Sequence, residues 1–452
     1  MNNDLIIEPL VFTSEMLISG IILLVTFIGI FTEHLHGFER SKSAMMGAVV
    51  MVITGQVFGF YSPDQAVKAV YWEVVFLLAS MMTIVSIMIP TGGFNVLAYR
   101  IARFSKGRLY LMLCLIGVLI TVLSMMLDNV TTVVIFGPLI ILICAIQKIN
   151  PIPYLLAAAL LSDIGGVATV VGDPPNIMIG AAAKIDFNTF LFHMGPPVLA
   201  ALLSVFIAIR FLFKKELEIT PEVIFHEGLE IKNKKIWNAS LGILGIMLIL
   251  FIVHHKFHWQ PWFVALIGMS LLIFVSRKVI MDHAFDDVEF TLLLFIISLF
   301  MVVGGVTDSS LFAYLGQFIA PFVREDLLLA TIVLMWFGAL LSAMIDNIPF
   351  TAAMIPIILT MEEHGINVTP LWWALAIGVG MGGNGTHIGS TANVFIVTIS
   401  ERLARQQQDE TLRITPGLWF KKATPIMILT LVASSLLFVL FWNYFSSPVN
   451  HG

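Results

Sequence analysis

The sequence predicts an all-α polytopic membrane protein, an inverted repeat of two five-helix halves, each with a re-entrant hairpin and a broken helix. Three observations lead there. The 452-residue chain is 58% hydrophobic and 12% charged, about half the charge of a soluble domain, and its mean hydropathy is +0.96. Apolar runs near the ~20 residues that cross a bilayer recur along its whole length. The second half of the chain repeats the first.

The opening residues, MNNDLIIEPLVFTSEM, carry no basic n-region and no small-residue cleavage site. The first apolar run, 16–31, is therefore expected to stay in the membrane as a span. Spans near 44–60 and 70–90 follow. The apolar stretch 109–148 is long enough for two helices but is interrupted at Asp128-Asn129, which suggests a re-entrant hairpin tip. The next span, 153–183, contains GGVATVVGDPPNIMIG, whose Gly, Pro and Asn must interrupt the helical hydrogen-bond ladder. A span at 188–213 closes the first repeat, 1–213. The polar segment 214–236 reads as a cytoplasmic linker without chemistry of its own. The second repeat, 237–452, has spans near 237–254, 259–276 and 288–307 and a hairpin over 327–361 interrupted at Asp346-Asn347. A broken helix over 370–400, around GGNGTHIGSTAN, and a span at 423–445 complete it. HHKFHW, 254–259, falls at an outer loop and reads as interfacial anchoring. Cys114 and Cys144 lie in apolar runs without metal-ligand spacing and imply no disulfide.

With both hairpins re-entrant, all of the 24 Lys and Arg except Lys68, Lys184, Lys256 and Arg324 fall on one side of the membrane. They occupy 32–43, 100–108, 148–152, 277–287, 401–422, the linker and Arg210. By the positive-inside rule that side is the cytoplasm, which puts the N-terminus outside in the inner (cytoplasmic) membrane. Reading either hairpin as a single crossing would invert everything after it and spoil the bias. Two full crossings would keep the parity.

Shifted by about 217 residues, the chain meets itself. LSMMLDNVTTVVIFGPLIILI (123–143) lies over LSAMIDNIPFTAAMIPIILTM (341–361). Gly165, Gly166, Thr169, Gly172 and Asn176 fall on Gly382, Gly383, Thr386, Gly389 and Asn393. Each half holds an odd number of crossings, so the second enters from the opposite face. Inverted repeats with discontinuous helices mark secondary transporters, with the site near the midplane where the repeats meet.

Each break frees backbone groups that are costly in lipid unless protein, water or a ligand meets them. Half-helices starting at Pro174-Pro175 and Thr391-Ala392, together with the two hairpin tips, would bring four helix ends to the centre. Such ends suit an anionic or oxygen-rich substrate, while carbonyl, Asp and Asn oxygens suit Na⁺ or H⁺. The ionisable groups at membrane depth are Asp128, Asp163, Asp173, Asp346 and His387, and a functional role is the default for each. Asp128 and Asp346 are also good turn chemistry beside Asn, Asp173 could be a plain N-cap, and His387 reads as a cavity-lining donor. The first repeat thus offers as substrate- or ion-binding residues Asp128, Asn129, Thr131, Asp163, Gly165, Gly166, Thr169, Gly172, Asp173, Pro174 and Asn176. The second offers Asp346, Asn347, Thr351, Gly382, Gly383, Asn384, Thr386, His387, Ser390 and Asn393. Asn176 and Asn393 are foremost for facing the substrate, and Na⁺ is expected near Asp128/Asn129 and Asp346/Asn347.

DNVTT, IGG-x-AT-x-x-GDPPN, DNIPFTA-x-MIP and GGNGT-x-IG-x-x-AN, in that order, resemble the arsenite-permease/P-protein/NhaD-type branch of the ion transporter superfamily. The resemblance spans roughly residues 40–445. It implies scaffold helices around a transport domain, a homodimer and an elevator-like movement. Asp163 stands where P-protein-like members have Asn, and His387 where they have an aliphatic residue.

The expected function is a secondary active transporter moving a small inorganic anion or an arsenite-like metalloid by alternating access, coupled to H⁺ or Na⁺. Na⁺/H⁺ antiport of NhaD type is the alternative within transport. A gated channel and an intramembrane aspartyl protease, suggested by VGD at 171–173, represent other classes. A protease needs two aspartates sharing a proton, and inverted duplication does not serve that. Neither an enzyme activity nor a cofactor is expected. The expected partners are the lipid bilayer, the small ion and a second copy of the chain, without nucleic acid; attachment of a soluble ATPase or other subunit stays open.

Overall fold

The computed structural model describes residues 10–448 apart from 34–36, 220–229, 277–284, 286 and 287. The first half runs α1 (Ser14–Phe31), α2 (Arg40–Phe58), α3 (Trp72–Met88), α4 (Gly93–Phe104), α5 (Leu109–Ser124), α6 (Asn129–Gln147), α7 (Ile152–Gly166), α8 (Pro174–Ala182) and α9 (Phe187–Leu212). The second repeats it as α10 (Lys234–Val253), α11 (Pro261–Val275), α12 (Phe290–Asp308), α13 (Leu311–Glu325), α14 (Leu327–Met344), α15 (Asn347–Glu363), α16 (Thr369–Gly382), α17 (Thr391–Gln407) and α18 (Pro416–Leu440). Each helix of the first half thus corresponds to the one nine places on. Short helices at Pro63–Ala69, Lys214–Leu217 and Trp442–Ser446 lie between or after them. Much of the 214–236 linker and of the 277–287 loop lies outside the described residues.

Helices α1, α2, α3, α6, α9, α10, α12, α14 and the segment containing α18 are long and apolar enough to cross a bilayer; α5, α7 and α11 are shorter apolar helices. The chain is a multi-pass, all-helical membrane protein. Boundaries lie within a few residues of the sequence expectation, except that α17 runs to Gln407 rather than 400 and α18 starts at Pro416 rather than 423.

Two helices are new. α4 and α13 are amphipathic, each burying one face only, and they occupy equivalent places just before the hairpins.

The core explains the sequence pattern. Every residue of α7 and of α16 is buried, so neither needs a polar face, and both read as apolar all round. Hairpin arm α5 packs on α7, and its equivalent α14 packs on α16. The second arms cross over: α6 packs on α17, and α15 packs on α8. Each hairpin therefore embraces the half-helix of the other repeat. Outside this inner group, α2 packs on α12 and α3 on α11, again pairing one half with the other.

Candidate functional site

The two breaks are built the same way. After α7 the chain runs irregularly through 167–173 before Pro174 and Pro175 open α8 at positions where no N–H is needed. After α16 a short 3₁₀ turn, Gly383–Gly385, and residues 386–390 precede α17. Thr169 Oγ1 donates to Met125 O at 2.5 Å, and Thr386 Oγ1 to Ala343 O at 2.5 Å, pinning each break to its hairpin. Ser124 Oγ donates to Ser162 O and Ser342 Oγ to Val379 O, both at 2.6 Å. These bonds satisfy backbone carbonyls that the breaks and tips would leave bare.

The glycines are there for close approach. A Cβ on Gly172 would stand 2.6 Å from Gly166 O and 2.9 Å from Ser124 O; on Gly389 it would stand 2.5 Å from Gly383 O and 3.0 Å from Ala343 O. Gly165 and Gly382 likewise press on the hairpin backbones at Thr121 and Ala339. These four, with Gly166 and Gly383, shape the loops rather than line a cavity.

Asn176 and Asn393, foremost in the sequence for facing the substrate, have amide nitrogens that point at their own loops, and neither residue lines the cavity described below. Asn176 Nδ2 donates to Gly166 O at 2.9 Å and Thr169 O at 3.0 Å; Asn393 Nδ2 donates to Gly383 O at 3.0 Å and Thr386 O at 3.2 Å. Each amide staples its own break shut. Asn384 does similar service, its Nδ2 donating to Leu160 O at 3.2 Å and its carbonyl accepting from Trp419 Nε1 at 3.0 Å. Thr351 is fully buried and bonds Asn347 O, one turn back. His387 is half-buried on the break loop.

The remaining candidates converge. A cavity of about 30 Å³ is lined by Asp128, Asn129, Asp173, Pro174, Asp346, Asn347 and Ser390, together with Arg40, Glu289 and Thr391. It sits where the N-termini of α6, α8, α15 and α17 meet. The volume is room for a water or two or a small ion.

These helix ends are already spoken for. Asp128 accepts from Thr131 N–H at 2.8 Å and from its hydroxyl at 2.5 Å, and Asp346 accepts from Ile348 N–H at 3.1 Å. Ser390 Oγ caps Ala392 N–H at 3.2 Å. At α8 the first two residues are prolines without N–H. The donors an anion would seek are thus capped or missing. What faces the cavity is four carboxyl groups against one guanidinium, Arg40, which pairs with Asp346. Among the described residues no three His, Cys, Asp or Glu side chains converge as a metal cage.

Asp163 lies just behind this cavity and joins the halves. Its Oδ1 accepts from Asn129 Nδ2 of the first hairpin at 2.8 Å and from Ser390 Oγ of the second break at 3.0 Å. Its Oδ2 is buried without a hydrogen-bond partner. Asp173 Oδ2 accepts from Asn347 Nδ2 of the second hairpin at 3.3 Å. Arg40 and Glu289 are not anticipated by the sequence, and Thr391 is anticipated there only as a helix start. Arg40 and Glu289 sit at the starts of α2 and α12, and the signal for them is a charge abutting an apolar run.

The comparisons decide the family. The sequence profile described as "Citrate transporter" matches residues 21–378. The chain belongs to the citrate transporter family. Among similar family relatives is a 46 kDa membrane protein of Mycobacterium leprae, 33% identical over 80% of this chain and 86% of its own length. The human P protein is 28% identical over 88% of this chain but only 56% of its own. The fold is similar to that of the YdaH transporter of Alcanivorax borkumensis, with a TM-score of 0.61, 13% identity, and coverage of 96% of this chain and 99% of that one. The citrate transporter-like chain is a membrane transporter, not an enzyme.

Proposed function

We propose that this citrate transporter family member is a secondary transporter whose central cavity carries a small monovalent cation, Na⁺ exchanged for H⁺. The observation that carries this is the four-to-one excess of carboxyl groups over guanidinium around a cavity of about 30 Å³. Na⁺ would take oxygens from Asp173, Asp128 or Asp346 with Asn129, Asn347 and Ser390. Among the described residues no three such side chains converge as a cage, which suits a weakly liganded monovalent ion better than a divalent one. Asp163 is the proton carrier in this reading, because a buried carboxylate with an unpartnered oxygen is costly until a proton or cation reaches it.

A second reading follows from the family: an anion such as citrate, carried with a coupling cation. A free tricarboxylate meets like charge and too small a cavity here, so it would need a more open conformation. Arsenite and other oxyanions find the helix-end donors capped. The cytoplasmic membrane, an external N-terminus and a homodimer moving by an elevator step belong to the same proposal.

Purified protein in proteoliposomes, given Na⁺, arsenite or citrate gradients in turn, separates the readings. Proton movement driven by Na⁺ alone is the expected result. Arsenite or citrate flux without Na⁺-driven proton movement would sink the cation reading.

A further inference from the structure

The two halves differ at one place that bears on the site. In the first, the run DNVT at 128–131 lets Thr131 fill both oxygens of Asp128, through its N–H and its hydroxyl. In the second, the equivalent run is DNIP at 346–349, and Pro349 stands where Thr131 does, with neither an N–H nor a hydroxyl to give. The Ile348 N–H takes Asp346 Oδ1 at 3.1 Å, and Oδ2 is left for a cation. Arg40 takes it.

Arg40 comes from the other group of helices. It is the first residue of α2, which packs on α12, and its guanidinium carbon stands 5.2 Å from the Phe295 ring centroid on α12. A cation at a helix N-terminus opposes the macrodipole, and Glu39 makes no side-chain cap there, so the placement does not serve α2. From this outer seat it reaches Asp346 on the hairpin tip, with Nη2 3.5 Å from Thr391 Oγ1 at the start of α17. At the equivalent start of α11 stands Pro261, so the inverted repeat supplies no matching cation.

We propose that Arg40 is a tethered stand-in for the transported cation. With the site empty, its guanidinium neutralises Asp346 and ties the inner group to the outer. A bound cation displaces it and frees the inner group to move. The inference rests on the cation reading above. A guanidinium does not deprotonate, so this partner is permanent, and withdrawing it from a half-buried carboxylate without a replacement is expensive. An empty carrier is thereby held in place, which is what an exchanger requires. The tether also competes with the substrate, so apparent affinity falls by the fraction of time that Arg40 occupies Asp346.

The test is Na⁺/H⁺ exchange in proteoliposomes of the full chain as wild type, Arg40→Gln, Arg40→Lys and Pro349→Thr. Pro349→Thr restores the hydroxyl that fills the second oxygen at Asp128, and it releases Arg40 without removing it. Arg40→Gln and Pro349→Thr are each expected to lower KM for Na⁺ on the order of tenfold and to admit Na⁺ efflux without exchange. Arg40→Lys, which keeps a cation but one that can lose its proton, should fall between wild type and Arg40→Gln. Unchanged KM and tight exchange in both Arg40→Gln and Pro349→Thr would overturn the inference alone, because a merely structural ion pair would not move them. Wild-type protein that moves arsenite or citrate but not Na⁺ would overturn the cation reading and this inference with it.

Discussion

At the scale of single residues, Asp163 is where the two halves are bonded through one carboxyl group. It holds Asn129 and Ser390 by one oxygen and leaves the other bare. Asp163→Asn keeps an acceptor for both donors but removes the titrating group, so the pH–rate profile of transport should flatten while the protein stays folded. A profile that keeps its wild-type shape would return Asp163 to a purely structural role. Asn176 and Asn393 act differently. Alanine at either leaves two buried loop carbonyls without their donor, which should cost about 1–3 kcal/mol per site and lower the melting temperature. Wild-type melting of both variants would contradict this. The sequence marked these asparagines correctly as belonging to the breaks. It could not show that their amides point at their own loops, because residue type alone does not say which way a polar group turns. The charge of Arg40 beside an apolar run is legible but its partner is not: Asp346 lies 306 residues away, and only the fold brings them together.

Among the elements, the breaks were legible because proline and glycine in an apolar run have few other uses. The hairpins were legible through the Asp-Asn pairs at their tips. α4 and α13 were not, since an amphipathic helix shorter than a bilayer leaves no apolar run to find. The overlay of the two hairpins already puts Pro349 in the place of Thr131. The close packing of break on hairpin gives a sharp contrast. Gly172→Ala and Gly389→Ala put a Cβ against backbone at 2.6 and 2.5 Å, and each should destabilise by about 1–3 kcal/mol and impair transport. Gly242→Ala in α10 has nothing within 4 Å and should be neutral or stabilising by roughly 0.5–1 kcal/mol. Thermal unfolding of the three variants checks this, and equal effects would show that close approach is not what those glycines provide.

For the whole molecule, a second cavity of about 730 Å³ shows where the two groups of helices part. It is lined by Glu73, Trp259 and Trp262 from one group and by Val170, Ile177 and Asp186 from the other. HHKFHW, read as an interfacial anchor, supplies His254 and His258 to its wall. The central cavity lies instead beside Arg40 and Glu289, where the Arg40–Asp346 pair bridges the groups. In the exchanger proposed above, the wide vestibule and the ion pair would be the open and the closed side of one conformation. The cation site proposed above is the small cavity between the mirrored breaks. Its most direct test is the melting temperature of the purified protein as Na⁺ replaces choline at constant ionic strength, because a ligand that binds only the folded state stabilises it. A rise with Na⁺ is expected in the wild type and none in Asp173→Asn. A melting temperature indifferent to Na⁺ but raised by citrate or arsenite would contradict it.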